Sequence, residues 1–176
     1  FQFGMNWSDY SRMVGDIFGA PLAFEALLTF FLESTFLGLW LFGWGKLPEK
    51  LHALTMLAVH IGTVLSAYFI LAANSFMQHP VGAHYNPQAG RAELHSIVEL
   101  FTNNTAIWAF THAVAGAFLT AATFVACVSA WWMVRSRRAG AAGGAPEHDG
   151  KNLYRPATIL GCWVALAAAV GLFFTG

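Results

Sequence analysis

Four ionisable side chains, Glu25, Glu33, His60 and His112, lie within long apolar stretches of the 176-residue chain. In lipid an ionisable group costs a few kcal/mol or more, so it faces protein, water or a cofactor. Glu25 and Glu33 are eight residues apart. On an α-helix this spacing separates them by about 12 Å along the axis and about 80° around it, so both can face one interior. No Lys or Arg lies within an apolar stretch to pair with them. Two such carboxyls in one helix suit proton transfer or ligation of a metal centre; a carboxyl hydrogen-bonded to a neighbouring helix is the alternative. Ser34 adjoins Glu33, and Ser66 is placed at a comparable depth in the next stretch. Hydroxyls there can relay protons or hold water, or serve as interhelical packing contacts.

His112 is followed by Ala113, Ala115, Gly116 and Ala117. An imidazole among small residues can present its ring to a flat macrocycle and ligate the iron, or it can be a satisfied core histidine. His60 has no histidine at i+4 and no acid nearby, and reads as a packing residue. HExxH, GxGxxG, GxxxxGK[ST] and GxSxG are all missing from the sequence. Hydrolytic zinc chemistry and the common nucleotide sites therefore have no support. Cys127 and Cys162 form no CxxC pair and read as small apolar packers.

These residues must be positioned by helices in a membrane. The chain is 57% hydrophobic and only 10% charged, against about 25% charged in soluble domains. The net charge of zero excludes the basic face of a nucleic-acid binder. The apolar residues gather into four runs, at about 17–44, 53–77, 106–134 and 157–175. Each is long enough to cross a hydrocarbon layer of about 30 Å. They neither alternate nor break into short strands, so a β-barrel is excluded. The fold class is all-α: a polytopic bundle with four transmembrane helices, read as one membrane domain over 1–176. No internal repeat is evident. The chain begins at Phe1 without an initiator Met and ends on an apolar run, so a fragment of a longer protein is expected.

Of the eighteen charges, sixteen lie outside the spans. Lys46, Lys50, Arg135, Arg137, Arg138, Lys151 and Arg155 fall on one side, and Arg12 and Arg91 on the other. Seven basic residues against two make segments 45–52 and 135–156 cytoplasmic. This puts Glu25 and His112 in the outer half of the membrane and Glu33 deeper. The Gly-rich stretch 139–150 reads as the centre of a flexible cytoplasmic linker over about 136–155. Leu94, Ile97, Val98 and Phe101 recur at helical spacing, which predicts an outer interfacial helix over about 89–101. Trp131 and Trp132 suit an interfacial aromatic belt.

The stretch Phe1–Trp44, with GDIFGAPLAFE and FFLESTFLGLWLFGW, closely resembles subunit I of cytochrome bd-type quinol oxidases. The resemblance continues through LSAYFILAANSFMQHPVG (Leu65 to Gly82) and FTHAVAGAFLTA (Phe110 to Ala121), fades over 135–156 and is weak in the last helix. It implies oxidation of quinol and reduction of dioxygen to water with two b-type haems and usually a haem d, which the cyanide-insensitive relatives lack. It implies that His112 ligates the iron of a low-spin haem b. Glu25 would ligate a haem iron at the dioxygen site. Glu33, Ser34 and Ser66 would line a proton path from the cytoplasm, and a second homologous subunit would complete the enzyme. The family's first-helix His ligand would precede Phe1. Its Met ligand opposite His112, its quinol-binding loop and the acid of its second b haem would follow Gly176. By this reading the chain is an N-terminal-half fragment, inactive alone, of a bacterial inner-membrane oxidase that takes protons from the cytoplasm. The competing classes are a proton-coupled transporter, which would show repeated halves or broken helices, and a non-catalytic membrane subunit.

Overall fold

A computed structural model describes residues 6–141 and 151–176. Its helices are α1 (Ser8–Phe24), α2 (Phe31–Phe42), α3 (Glu49–Gln78), α4 (Ile97–Phe101), α5 (Asn104–Ala141) and α6 (Lys151–Thr175). A single π-helical turn, Glu25–Phe30, joins α1 to α2 without a break, and a hairpin of β1 (Ala83–Asn86) and β2 (Arg91–Leu94) follows α3. Four helical stretches have the length and hydropathy to span a membrane: Ser8–Phe42, Glu49–Gln78, Ile97–Arg138 and Leu153–Thr175. The chain divides into two compact units, Phe1–Phe110 and Thr111–Gly176.

The first helix starts nine residues before the apolar run, at Ser8 rather than at 17. Its early turns are amphipathic. Asp9, Arg12 and Asp16 are polar, while Tyr10, Val14, Ile17 and Phe18 recur at helical spacing and pack inward. The last of these join Ala73, Phe76 and Leu100 in the core of the first unit, at the end of α3 that leads to the hairpin. α3 runs antiparallel to α1 and α2 after the turn at 43–48. The pairs Trp40 with His52, Glu25 with Ser66 and Phe18 with Phe76 are each in contact, in step along the two helices.

No helix covers 89–101, contrary to the sequence expectation. Residues 91–94 are a strand paired with 83–86, and only Ile97–Phe101 is helical. Turn chemistry overrides the helical spacing here. Pro87 fixes its own φ and lacks an amide donor. The Asn86 side chain accepts from the amides of Gln88 (2.9 Å) and Ala89 (3.2 Å), and Gly90 takes a positive φ of 64°. The hairpin is tied to α1 by the Leu94 amide, which donates to Asp16 Oδ2 at 3.0 Å. It is tied to α4 through Gly82, whose carbonyl accepts from the amides of His95 (2.8 Å) and Ser96 (2.9 Å).

Gly82 has φ +72°, and a Cβ there would stand 2.5 Å from the Ser96 carbonyl oxygen. Replacing it with Ala is expected to cost about 2 kcal/mol or more in the left-handed region. In hydrogen-exchange mass spectrometry the amides of 91–96 would then exchange about 30-fold faster. Unchanged exchange would show that the turn tolerates a side chain.

Asn103 leads into α5. Its Nδ2 donates to the His79 carbonyl (3.0 Å), and its Oδ1 accepts from the Thr105 amide (3.0 Å), a side-chain cap for the helix start. In the second unit α5 and α6 are antiparallel and close. A Cβ on Gly161 would lie 2.8 Å from the Ala122 carbonyl oxygen, and Gly171 faces Ala115. Trp132 stacks on Tyr154 at 6.3 Å, with the Arg135 guanidinium 5.3 Å from the Trp132 ring centre. Helix occupies much of the expected linker. Residues 136–141 continue α5 and 151–155 begin α6, while 142–150 lie outside the described residues.

Candidate functional site

Glu25 stands where the α-helical ladder changes to i→i+5. Pro21 supplies no amide one turn earlier, and the Glu25 amide is shared between the carbonyls of Pro21 and Leu22. The Thr29 hydroxyl donates to the Glu25 carbonyl at 2.5 Å. Thr29 is the one buried residue of the turn, while Leu27, Leu28 and Phe30 are exposed.

The turn alters the angle between the two carboxyls. A π turn absorbs about one residue, so eight residues act as seven, and the offset falls from about 80° to about 20°. Both side chains accordingly meet α3. The Ser66 hydroxyl donates to Glu25 Oε1 at 2.9 Å. One turn along α3, Gly62 is buried against Glu33, where a Cβ would come within 2.7 Å of Glu33 Cγ and 3.0 Å of Leu32 Cδ2. Glu25, Glu33 and Ser66 are each half-buried. Gly62 and Ser66, at i and i+4, form the α3 face that the carboxyls share.

The serines divide differently from the sequence expectation. Ser66 bonds to Glu25 rather than lying beside Glu33 and Ser34. Ser34 is exposed and turns its hydroxyl to the Phe31 carbonyl of its own helix at 3.3 Å. The antiparallel register explains this, because the α3 residues level with Ser34 come before Gly62. His60 is exposed, two residues from Gly62 and thus about 200° around α3 from the carboxyl face. Cys127 and Cys162 are exposed, whereas the sequence suggests packing. Thr29 and Gly62 are absent from the residues the sequence singles out. The available signals were a threonine midway between two carboxyls and a glycine four residues before a serine.

In the second unit, His112 is exposed on α5, and its Nδ1 lies 3.1 Å from Thr175 Oγ1. The Thr175 hydroxyl also donates to the Gly171 carbonyl at 2.9 Å, which leaves it an acceptor for an Nδ1–H. The ring is thereby oriented, with Nε2 uncommitted among the described residues, the arrangement metal-ligating histidines use. Gly176 closes on the ring edge, where a Cβ would be 3.2 Å from His112 Cε1. Glu25 Oε2 is likewise without a partner among the described residues. No three His, Cys, Asp or Glu side chains among them converge to hold a metal ion. His112 and Glu25 are each solitary donors, which suits axial ligation of iron already held by a macrocycle.

The family model for cytochrome bd terminal oxidase subunit I matches residues 1–176. Over 137 residues, 78% of the chain, it is 54% identical to the cytochrome bd ubiquinol oxidase subunit 1 of Bacillus subtilis (strain 168). It is 50% identical over the same length to the cytochrome bd-II ubiquinol oxidase subunit 1 of Escherichia coli (strain K12). These matches take in 29% and 27% of those proteins, so the chain spans less than a third of the curated relatives it matches. The solved structure of bd oxidase from Geobacillus thermodenitrificans superposes with a TM-score of 0.76 at 25% identity, covering 96% of this chain and 36% of that one. With four helices of membrane-spanning length, the protein is a multi-pass component of the cell membrane. It belongs to the cytochrome bd terminal oxidase subunit I family.

Proposed function

We propose that the chain is part of a quinol:dioxygen oxidoreductase, holding haem in the membrane and delivering protons to the dioxygen site. The observation that carries this reading is the Ser66–Glu25 hydrogen bond on a face shared with Glu33. A carboxyl aimed at a hydroxyl and aligned with a second carboxyl is an arrangement for moving protons through an apolar layer. Family membership supplies the redox half of the reading.

The haems, when bound, supply electron transfer from quinol and the reduction of dioxygen. The residues present fit them. His112 offers Nε2 to a haem b iron while Thr175 fixes its ring. Glu25 offers Oε2 to a haem iron at the dioxygen site while Ser66 fixes its other oxygen. The resemblance assigns two b haems to the complete protein and leaves the presence of a haem d open. Glu33 takes protons from the side carrying segments 45–52 and 135–156, which the seven-to-two basic split makes cytoplasmic. Ser66 stands at the delivery end of that path, beside Glu25. Ser34 lines its entry, with its hydroxyl parked on the Phe31 carbonyl. A second homologous subunit completes the enzyme.

The test uses the full-length protein in detergent, with optical spectra of the oxidised and reduced states. Haem bands at stoichiometric ratio are expected, and their absence sinks the oxidase reading in favour of a transporter or a non-catalytic subunit. In the same preparation Glu33→Ala is expected to slow dioxygen uptake about 100-fold, as loss of a positioned proton-transfer group does. Reduction of the first haem by quinol is expected to remain fast. Parental uptake by Glu33→Ala would remove Glu33 from the proton path.

A further inference from the structure

We propose that Thr29 is a positioning residue for Glu25: by holding the Glu25 carbonyl inside the π turn, its buried hydroxyl maintains the offset that lays Glu25 and Glu33 on one face against α3. The proposal rests on the proton-delivery reading above.

π-helical turns are rare because uninterrupted α-helix is the better-bonded alternative. One that persists must be held by its surroundings. Here two contacts hold it. The Thr29 hydroxyl donates to the Glu25 carbonyl, four residues back, where the i→i+5 pattern displaces the usual amide donor. α3 presses on the turn at Gly62, where even a Cβ would lie only 3.5 Å from the Thr29 carbonyl oxygen and would collide with Glu33 Cγ. Thr29 has no exposed surface, whereas Phe24, Leu27, Leu28, Phe30 and Phe31 around it are all exposed. The turn is therefore fixed at its one fully buried residue, beside the Glu25 contact with α3.

The chemistry follows from the offset. Without the π turn, one residue fewer is absorbed and Glu25 rotates by about 100° relative to Glu33. Ser66 could not then reach Oε1 while Gly62 remained seated on Glu33. The hydroxyl of Thr29 thus acts on the carboxyl of Glu25 through the main chain, without touching it.

The test uses the full-length oxidase with Thr29→Val, which keeps the shape and removes the donor, and Thr29→Ser, which keeps the donor. Redox-induced infrared difference spectra read the Glu25 carboxyl itself, its band being assigned by loss in Glu25→Gln. With Thr29→Val the band is expected to shift, and dioxygen uptake to fall about tenfold, since misplacing a reacting group by about 1 Å costs up to about 100-fold. Quinol reduction of the first haem is expected to be unchanged, and Thr29→Ser to restore both signals. A parental band and uptake in Thr29→Val overturn the proposal, as do equal losses in Val and Ser. If Thr29→Val does not assemble, Thr29→Ala against Thr29→Ser isolates the hydroxyl, and identical spectra for that pair overturn it equally. A silent Glu25→Gln sinks the role assigned to Glu25 instead, so the two failures are distinguishable.

Discussion

Replacing His112 with alanine in the full-length protein is expected to remove one low-spin haem b and, with it, electron entry from quinol. The imidazole is exposed on α5, held by a hydrogen bond to Thr175 at 3.1 Å, and its Nε2 has no partner among the described residues. If His112 holds the haem as proposed, its removal would leave no replacement nearby, since Ala113, Val114, Ala115 and Gly116 carry no ligating atom. The pyridine haemochrome assay should show one haem fewer per protein, and added imidazole should restore part of the reduced band. A full-strength band in His112→Ala would end the assignment. Thr175→Val tests the orienting bond separately. It leaves the ligand in place and is expected to weaken haem retention by about 10- to 100-fold, the usual effect of removing the partner that orients a ligating histidine.

The second large effect is expected at Glu25. Changing it to Gln keeps the size and a hydrogen-bonding oxygen but removes the ionisable carboxyl, so the Ser66 contact at 2.9 Å can persist while ligation and proton transfer cannot. Dioxygen uptake by the full-length enzyme should fall by at least about 100-fold. Ser66→Ala, which removes one hydrogen bond and leaves the carboxyl, should lose far less, on the order of tenfold for about 1 kcal/mol or slightly more. If the serine variant were the more damaging of the two, the hydroxyl and not the acid would be the reacting group. Parental uptake by Glu25→Gln would remove Glu25 from the dioxygen site.

The chemistry-bearing residues were more legible than their arrangement. Glu25 and Glu33 declare themselves because carboxyls in an apolar run are costly, and His112 because an imidazole among small residues has room for a large flat ligand. The four spans follow from run length alone. Periodicity failed wherever a local interaction outbid it. Over 89–101 the spacing of Leu94, Ile97, Val98 and Phe101 suggests a helix, but Asn86, Pro87 and Gly90 close a hairpin first. At Ser8–Asp16 three charges hide a helix that the inward residues Tyr10, Val14, Ile17 and Phe18 define. The π turn has no compositional signature at all, so the sequence yields an 80° offset where the structure has the carboxyls nearly in line. Ser66 is legible as a hydroxyl at mid-membrane depth, but not which carboxyl it meets. The pairing depends on interhelical register, which is set by contacts such as Gly62 on Glu33 that a single chain position cannot announce.

The length of the first helix bears on how the protein sits in its bilayer. Ser8–Phe42 is a continuous 35-residue rod, while a hydrocarbon layer of about 30 Å takes up only about twenty residues. About 20 Å of helix therefore stands clear of the lipid unless it is steeply tilted. The protruding part is the end bearing Asp9, Arg12 and Asp16, where the hairpin docks on the rod. At the opposite end Trp40, Trp44, His52 and Lys46 cluster around the turn, with the His52 ring 4.5 Å from that of Trp44, and they anchor the rod at one depth. Hydrophobic mismatch is thus taken up at one end only. A thicker or thinner membrane would cover more or fewer turns near the hairpin, while the two carboxyls keep their distance from the anchored face.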